Sequence, residues 1–321
     1  MIFQLLLIAF HLPSTAGFGN ALFQKAPSAQ QKAPTRTPDR VEIELPDFDE
    51  LFNRVQQVSP LARVAIESAN DVAGYTGGFD AIEENPNLKW KKVDSKKKKF
   101  GVHKVEKIDN FQGVGVPILR MRATLEGPCI GEGFANFIMN TEDRKKWDSQ
   151  IDSVYEAYPI LDLDTANIAM GFNYGDCSRL GIGHCVTKPN LGIDAREQLT
   201  ICGINDFADG SCLIWGTEME SWHDHLLPPG KRVTRAKSHI FSTILVPTSE
   251  NTIDVEYVLQ LEIGGKIPNW MTTPIIVDNV KKLFRCAGDF YKNKDGELDK
   301  FLAEKALQND LEGPTLLSVP P

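Results

Sequence analysis

Metal-ligating side chains crowd together at His223-Asp224-His225. Two histidines at i and i+2 share a face only in a strand. Pro228-Pro229-Gly230 follows closely and makes the segment a loop, and no third ligand is evident, so a tetrahedral metal site is not expected. Acid–base chemistry would need His239, Arg235 or Glu218 to act inside a pocket. Arg196 and Arg235 suit an anionic group, or else they pair with Glu197, Glu218 or Asp254 and brace a sheet. The six cysteines, Cys129, Cys177, Cys185, Cys202, Cys212 and Cys286, include no C-x-x-C pair and are too sparse for a disulfide scaffold. They read as small apolar core side chains. The chain has no G-x-S-x-G, H-E-x-x-H, Walker loop or dinucleotide fingerprint. The expectation is no catalytic residue, no metal and no cofactor. Lys89, Lys91, Lys92, Lys96, Lys97, Lys98, Lys99, Lys104 and Lys107 form one basic cluster, diluted by Asp94 and Glu106. It could meet an anionic membrane at about 1 kcal/mol per well-placed cation, or it is the solvated turn of a hairpin.

What must position these residues is a chain of 321 residues, 42% hydrophobic and 24% charged, enough for a sizeable core. A net charge of -8 argues against nucleic acid as a partner. Past the N-terminus no apolar run is long enough to cross a membrane as a helix. Ile2 to Phe10 is apolar and is followed by Pro13 and the small residues Ser14, Thr15, Ala16 and Gly17, the shape of a secretory signal over 1–17 without a basic n-region. Residues 18–40 carry Lys25, Lys32, Arg36 and Arg40 against Asp39 alone, a transit-like composition. Together they resemble the two-part plastid-targeting leaders of algae with secondary plastids, so a plastid destination is expected. The alternative is a secreted protein with a Pro-rich linker, although no N-x-Ser/Thr sequon is present.

Beyond the leader, Leu51, Val55, Val58, Leu61, Ala62, Ala65, Ile66 and Ala69 recur at helical spacing, with Pro60 placed to divide two helices. Strands are predicted at 99–108 and 117–125, then a helix from Gly131 to Trp147. Further strands are predicted at 153–159, 167–174, 196–203, 211–219, 235–246 and 252–263. In the last, Val255, Tyr257, Leu259, Leu261 and Ile263 make a dry face, and Asp254, Glu256, Gln260 and Glu262 a wet one. A final helix is predicted to start at Pro274, capped by Thr273, with Ile276, Val280, Leu283, Phe284, Ala287 and Phe290 as its apolar stripe. The domain layout is then 1–17 signal, 18–40 transit-like, 41–80 helical, 81–294 main domain and 295–321 polar tail. The fold class is α+β: a curved antiparallel sheet closed over a long C-terminal helix, a shape that tends to leave a cavity.

Four segments then resemble the START (steroidogenic acute regulatory protein-related lipid transfer) family, in the family's order: Glu132 to Ile151, Ala195 to Thr200, Leu227 to Ser238 and Val255 to Met271. The resemblance spans roughly Leu88 to Asn293. It implies a helix-grip fold and a hydrophobic cavity enclosing one lipid, with the C-terminal helix as lid, transferring or presenting its ligand at a membrane as a monomer. It does not fix the lipid; Cys202 stands where sterol-binding members carry an internal Arg. The expected lipid-binding residues are Tyr174, Arg196, Cys202, Trp215, Arg235, His239, Tyr257, Leu259, Trp270, Ile276, Val280 and Phe284, with Lys96 to Lys99 as the membrane contact. Tyr174, Trp215, His239 and Tyr257 are open to either cavity lining or ordinary core. The rival is an aromatase/cyclase-like enzyme on the same fold.

Overall fold

The computed structural model describes residues 45–69, 78–93, 101–126, 135, 139, 151–160, 163–171, 174–189, 193–227, 233–265, 267 and 269–291. The leader, Lys96 to Lys99, most of the Gly131 to Trp147 segment, the turn Pro228-Pro229-Gly230, the Trp270 side chain and the tail from 292 lie outside them.

The helical spacing after the leader becomes α1 (Phe48–Val58) and α2 (Pro60–Glu67). Asp47 caps α1 by accepting the N–H of Glu50 at 3.0 Å. Ser59 separates the two helices: its Oγ accepts the N–H of Ala62 at 3.1 Å, and Pro60 takes the first helical position, where no N–H is needed.

Ten strands form one curved, unclosed sheet. They are β1 (Lys91–Lys92), β2 (Val102–Ile108), β3 (Ile118–Glu126), β4 (Ile151–Pro159), β5 (Asp176–Thr187), β6 (Arg196–Asp206), β7 (Cys212–Glu218), β8 (Thr234–Arg235), β9 (Lys237–Ser249) and β10 (Thr252–Glu262). The order across the sheet is β1-β2-β3-β10-β9-β7-β6-β5-β4, all antiparallel, with β8 beside β6 in parallel. Among the described residues, α3 (Leu163–Met170) and α4 (Asn269–Tyr291) are further helices. Ala135 and Met139 are buried and helical, four residues apart on one face.

Each face of the sheet carries its own apolar core. On the inner face, Leu119, Met121, Tyr257 and Leu259 join Ile276, Val280 and Phe284 of α4. On the outer face, Leu199, Leu213, Trp215 and Ile244 pack with Phe48, Phe52 and Leu61 of α1 and α2 and with Met170 of α3.

This double covering corrects the expectation of a wet face. Asp254, Glu256 and Gln260 are buried, Glu256 and Gln260 completely, because α1, α2 and the segment 78–90 lie over them. Asp254, Glu256 and the Gln260 amide nitrogen bond to protein, while Gln260 Oε1 is buried without a hydrogen bond among the described residues. Asp254 accepts from Thr124 Oγ1 at 2.6 Å and from the N–H of Phe79 at 3.0 Å. Gln260 Nε2 donates to the carbonyls of Phe111 and Val116.

Two element assignments change as well. Residues 163–170 form a helix where a strand was expected at 167–174: Ala166 and Met170 bury one side, Asn167 Oδ1 accepts the N–H of Cys177, and Gly171 stops the helix at φ +72°. Pro274 lies inside α4, which starts at Asn269, so Thr273 is a buried helical residue and not a cap.

Candidate functional site

The site is built on the inner face, where α4 crosses the sheet. Register brings Leu259 level with Leu119 on one side and Phe241 on the other; Tyr257 lies level with Met121 and Thr243. The Tyr257 ring meets Phe284 of α4 edge-on, with centroids 6.4 Å apart at 85°, and Phe241 at 5.6 Å. Six of the residues named from sequence therefore come together: Cys202, Tyr257, Leu259, Ile276, Val280 and Phe284.

The centre of this wall is small. Gly181, Cys202 and Gly216 stand side by side across β5, β6 and β7. A Cβ on Gly216 would lie 2.1 Å from Cys202 Sγ, and one on Gly181 only 2.6 Å from Glu156 Oε1. Gly216 leaves the room that Cys202 fills, and Gly181 the room into which the Glu156 side chain reaches. Burial pushes the Cys202 thiol well above the ordinary range, so it stays protonated.

The wall also carries charge that sequence reasoning missed. The Glu156 carboxylate lies over Gly181, and Arg179 shares that face through its register with Ile204. Burial lowers Arg179 to about 10, with Glu156 acting in the opposite direction. The pair was hidden because β5 was not recognised: Gly181, Gly183 and the polar Asp176 and Ser178 break its apolar alternation. With β5 placed, the i, i+2 spacing of Val154 and Glu156 on β4 would have pointed to it.

The other named residues lie elsewhere. Tyr174 and Trp215 face the outer core, because residues 213 and 215 of β7 alternate away from the inward Cys212 and Ile214. Trp215 Nε1 donates to Asn205 Oδ1 at 2.6 Å. Tyr174 Oη donates to Asp49 Oδ1 at 2.7 Å and stacks on Phe52. Burial, and then Asp49, push the Tyr174 hydroxyl up to about 12. The folded chain thus holds this proton where an unfolded tyrosine, near 10.0, loses it, so its contribution is complete below pH 10 and is lost as pH rises toward 12. An ultraviolet difference titration of wild type against Tyr174→Phe should show Tyr174 ionising above the ordinary tyrosine range. Ionisation near 10 would refute the buried hydrogen bond.

Arg196 donates to four backbone carbonyls rather than to an acid. Arg235 Nη2 donates to Asp224 Oδ1 at 2.6 Å in a part-exposed pair. His239 sits between Glu218 at 3.5 Å and Glu262 at 3.3 Å. Glu218 is raised by burial, against the opposing charge of His239. Of the three candidate acid–base groups, His239 and Glu218 stand together, and Arg235 is turned to Asp224.

His223 and His225 lie on a short 3-10 turn, Ser221–Leu226, and among the described residues no group of three or more His, Cys, Asp or Glu could hold a metal ion. No described helix is long and apolar enough to cross a membrane. In the basic cluster, Lys91 and Lys107 both pair with Asp109, and Lys104 pairs with Glu106.

A curved antiparallel sheet gripping one long C-terminal helix is the START-like, helix-grip fold. Human STARD10 superposes with a TM-score of 0.54 at 15% identity, over 86% of this chain and 92% of that one. Human StAR-related lipid transfer protein 5 gives 0.46 at 15% identity over 78% and 99%, and the lipid transfer and protein localization domain of human StarD13 gives 0.47 at 13% over 62% and 88%. No family model and no curated protein matches the sequence.

Proposed function

We propose that the chain binds one lipid or similar apolar molecule between the inner face and α4 and transfers or presents it at membranes, with α4 as the lid and no catalysis. The observation that carries this is the apolar inner wall with the small centre Gly181, Cys202 and Gly216, facing the apolar stripe of α4. The START-like, helix-grip fold, which this chain has in common with human STARD10, supports it. Each buried CH₂ is worth about 0.8 kcal/mol, so one long acyl chain gains on the order of 10 kcal/mol by leaving water. Affinity of that size needs no nucleophile and no metal. Glu156 and Arg179 supply polar groups to orient one end of such a ligand. The exposed Lys89 and Lys92, with Lys96 to Lys99, supply the contact with an anionic membrane, and the two-part leader makes plastid membranes the place of action.

Native mass spectrometry of the protein purified from cells, followed by extraction and lipid identification, tests this directly. A stoichiometric lipid is the expected result. An empty protein that takes up nothing from mixed-lipid vesicles would overturn it in favour of an enzyme. Leu259 is 2% exposed on the inner wall, and Leu259→Arg places a charge there. The folded variant should lose its lipid while keeping its vesicle association; unchanged loading would remove β10 from the site.

A further inference from the structure

We propose that Arg196 is the latch that fixes the pivot of α4, so that it sets how fast the inner site opens. This rests on the ligand-binding reading above and assigns Arg196 a positioning role within it.

The geometry lies where β10 hands over to α4. Gly264 and Gly265 follow the strand with φ +75° each, a left-handed pair that turns the chain out of the sheet. A side chain would be strained at either, and backbone blocks one at Gly264. A Cβ on Gly264 would lie 2.4 Å from the carbonyl oxygen of Arg235, and one on Gly265 3.3 Å from Arg196 Nη2. The bare backbone is therefore pressed against the guanidinium. Arg196 Nε donates to the carbonyl of Ile263 at 2.8 Å and Nη2 to that of Gly264 at 3.4 Å. On its other side Nη1 donates to the carbonyls of Asp194 at 2.8 Å and Ala195 at 3.2 Å. One planar fork thus ties the residues that open β6 to the first carbonyls after β10, five residues ahead of α4.

The chemistry of these partners suits a latch. Among the described residues the hydrogen bonds of this side chain all end on backbone carbonyls, and the residue is only 5% exposed. Carbonyl dipoles hold a guanidinium more weakly than a carboxylate does. Burial lowers the basicity of Arg196, partly offset by Asp194, as expected for a cation without a close acid. Ile276, Val280 and Phe284 of α4 meet the inner face as apolar side chains, whose contacts can slide without breaking directional bonds. The four directional bonds of Arg196 at the pivot are bonds that such a motion must break or rotate about.

The test uses the full chain and a pyrenyl fatty acid as probe. Arg196→Lys keeps the charge but cannot span both carbonyls. It should speed probe uptake and release alike by on the order of tenfold, leaving the equilibrium affinity nearly unchanged. Hydrogen exchange should quicken in α4 while β3 and β9 stay protected. Gly265→Ala, which pushes a methyl group toward the guanidinium, should act in the same direction and serves if the lysine variant does not fold. Wild-type probe kinetics and wild-type α4 exchange in both variants would overturn the latch. So would exchange that quickens equally across the sheet, since that marks a merely structural residue. If the wild-type protein takes up no probe, the ligand-binding reading fails, and the α4 exchange measurement still decides the latch by itself.

Discussion

Glu256→Ala should lower the free energy of unfolding by about 3–5 kcal/mol, the range for breaking a buried ion pair from one side. Glu256 is fully buried on the outer face. Its Oε1 accepts from Ser59 Oγ at 2.6 Å and from the N–H of Leu61 at 3.2 Å, which anchors the start of α2. Its Oε2 accepts from Arg122 Nε and lies 4.0 Å from Arg120 Nε. Removing the carboxylate strands two guanidinium groups, 1% and 9% exposed, with only Glu84 and Glu106 left between them. Glu84→Ala should cost less than half as much, because Glu84 is 40% exposed and water can replace it. Burial alone would raise the Glu84 carboxyl, but Arg120 and Arg122 outweigh it and hold it below 4.5. Its contribution is therefore present above that pH and is lost as the pH falls through the lowered value. Urea titration of both variants decides the ranking; equal losses would mean that Glu256 is not the centre of the network.

Trp215→Ala should cost about 3–5 kcal/mol and leave ligand uptake intact in whatever fraction stays folded. The indole is completely buried, and Phe48 and Phe52 of α1 meet it edge-on at 5.5 and 5.6 Å. Gly203 lies beneath it, with the ring 2.4 Å from where a Cβ would stand. Truncation opens a cavity of aromatic size and takes from Asn205 Oδ1 its indole donor. Because the indole packs on the face opposite α4, probe binding per folded molecule should match wild type. A lost affinity with unchanged stability would put Trp215 back in the ligand site.

Much of the fold was legible because strands with one apolar face print their period into the chain. Leu119, Met121 and Leu125 in β3 and the odd residues of β10 were readable, as was the division of α1 from α2 at Pro60. What period-2 alternation cannot reveal is what covers the other face. Arg120, Arg122, Asp254 and Glu256 look like surface residues in sequence, because their partners are far away; Ser59 and Glu256 are 197 residues apart. The same blindness affected the site. Tyr257, Leu259 and the α4 stripe were found from their pattern and Cys202 from its place in a START-like segment, whereas Trp215 and Tyr174 were assigned by residue type and lie behind the sheet. The roles of Arg196 and His239 depend on strand ends and on an irregular register near β9, which no local pattern encodes.

The pairing of β3 with β10 also bears on how the chain is made. Register sets Glu126 against Thr252 and Ile118 against Gln260, so more than a hundred residues of nascent chain separate the two strands. At synthesis rates of about 5–20 residues per second, β3 waits for several seconds with β2 as its neighbour on one edge and the other edge unpaired. Its apolar face, with Leu119, Met121 and Leu125, waits with it. The centre of the sheet therefore closes last, after the β4-β5-β6-β7 hairpins have already emerged. Aggregation on the ribosome, more than unfolding of the finished protein, is where this topology is most exposed.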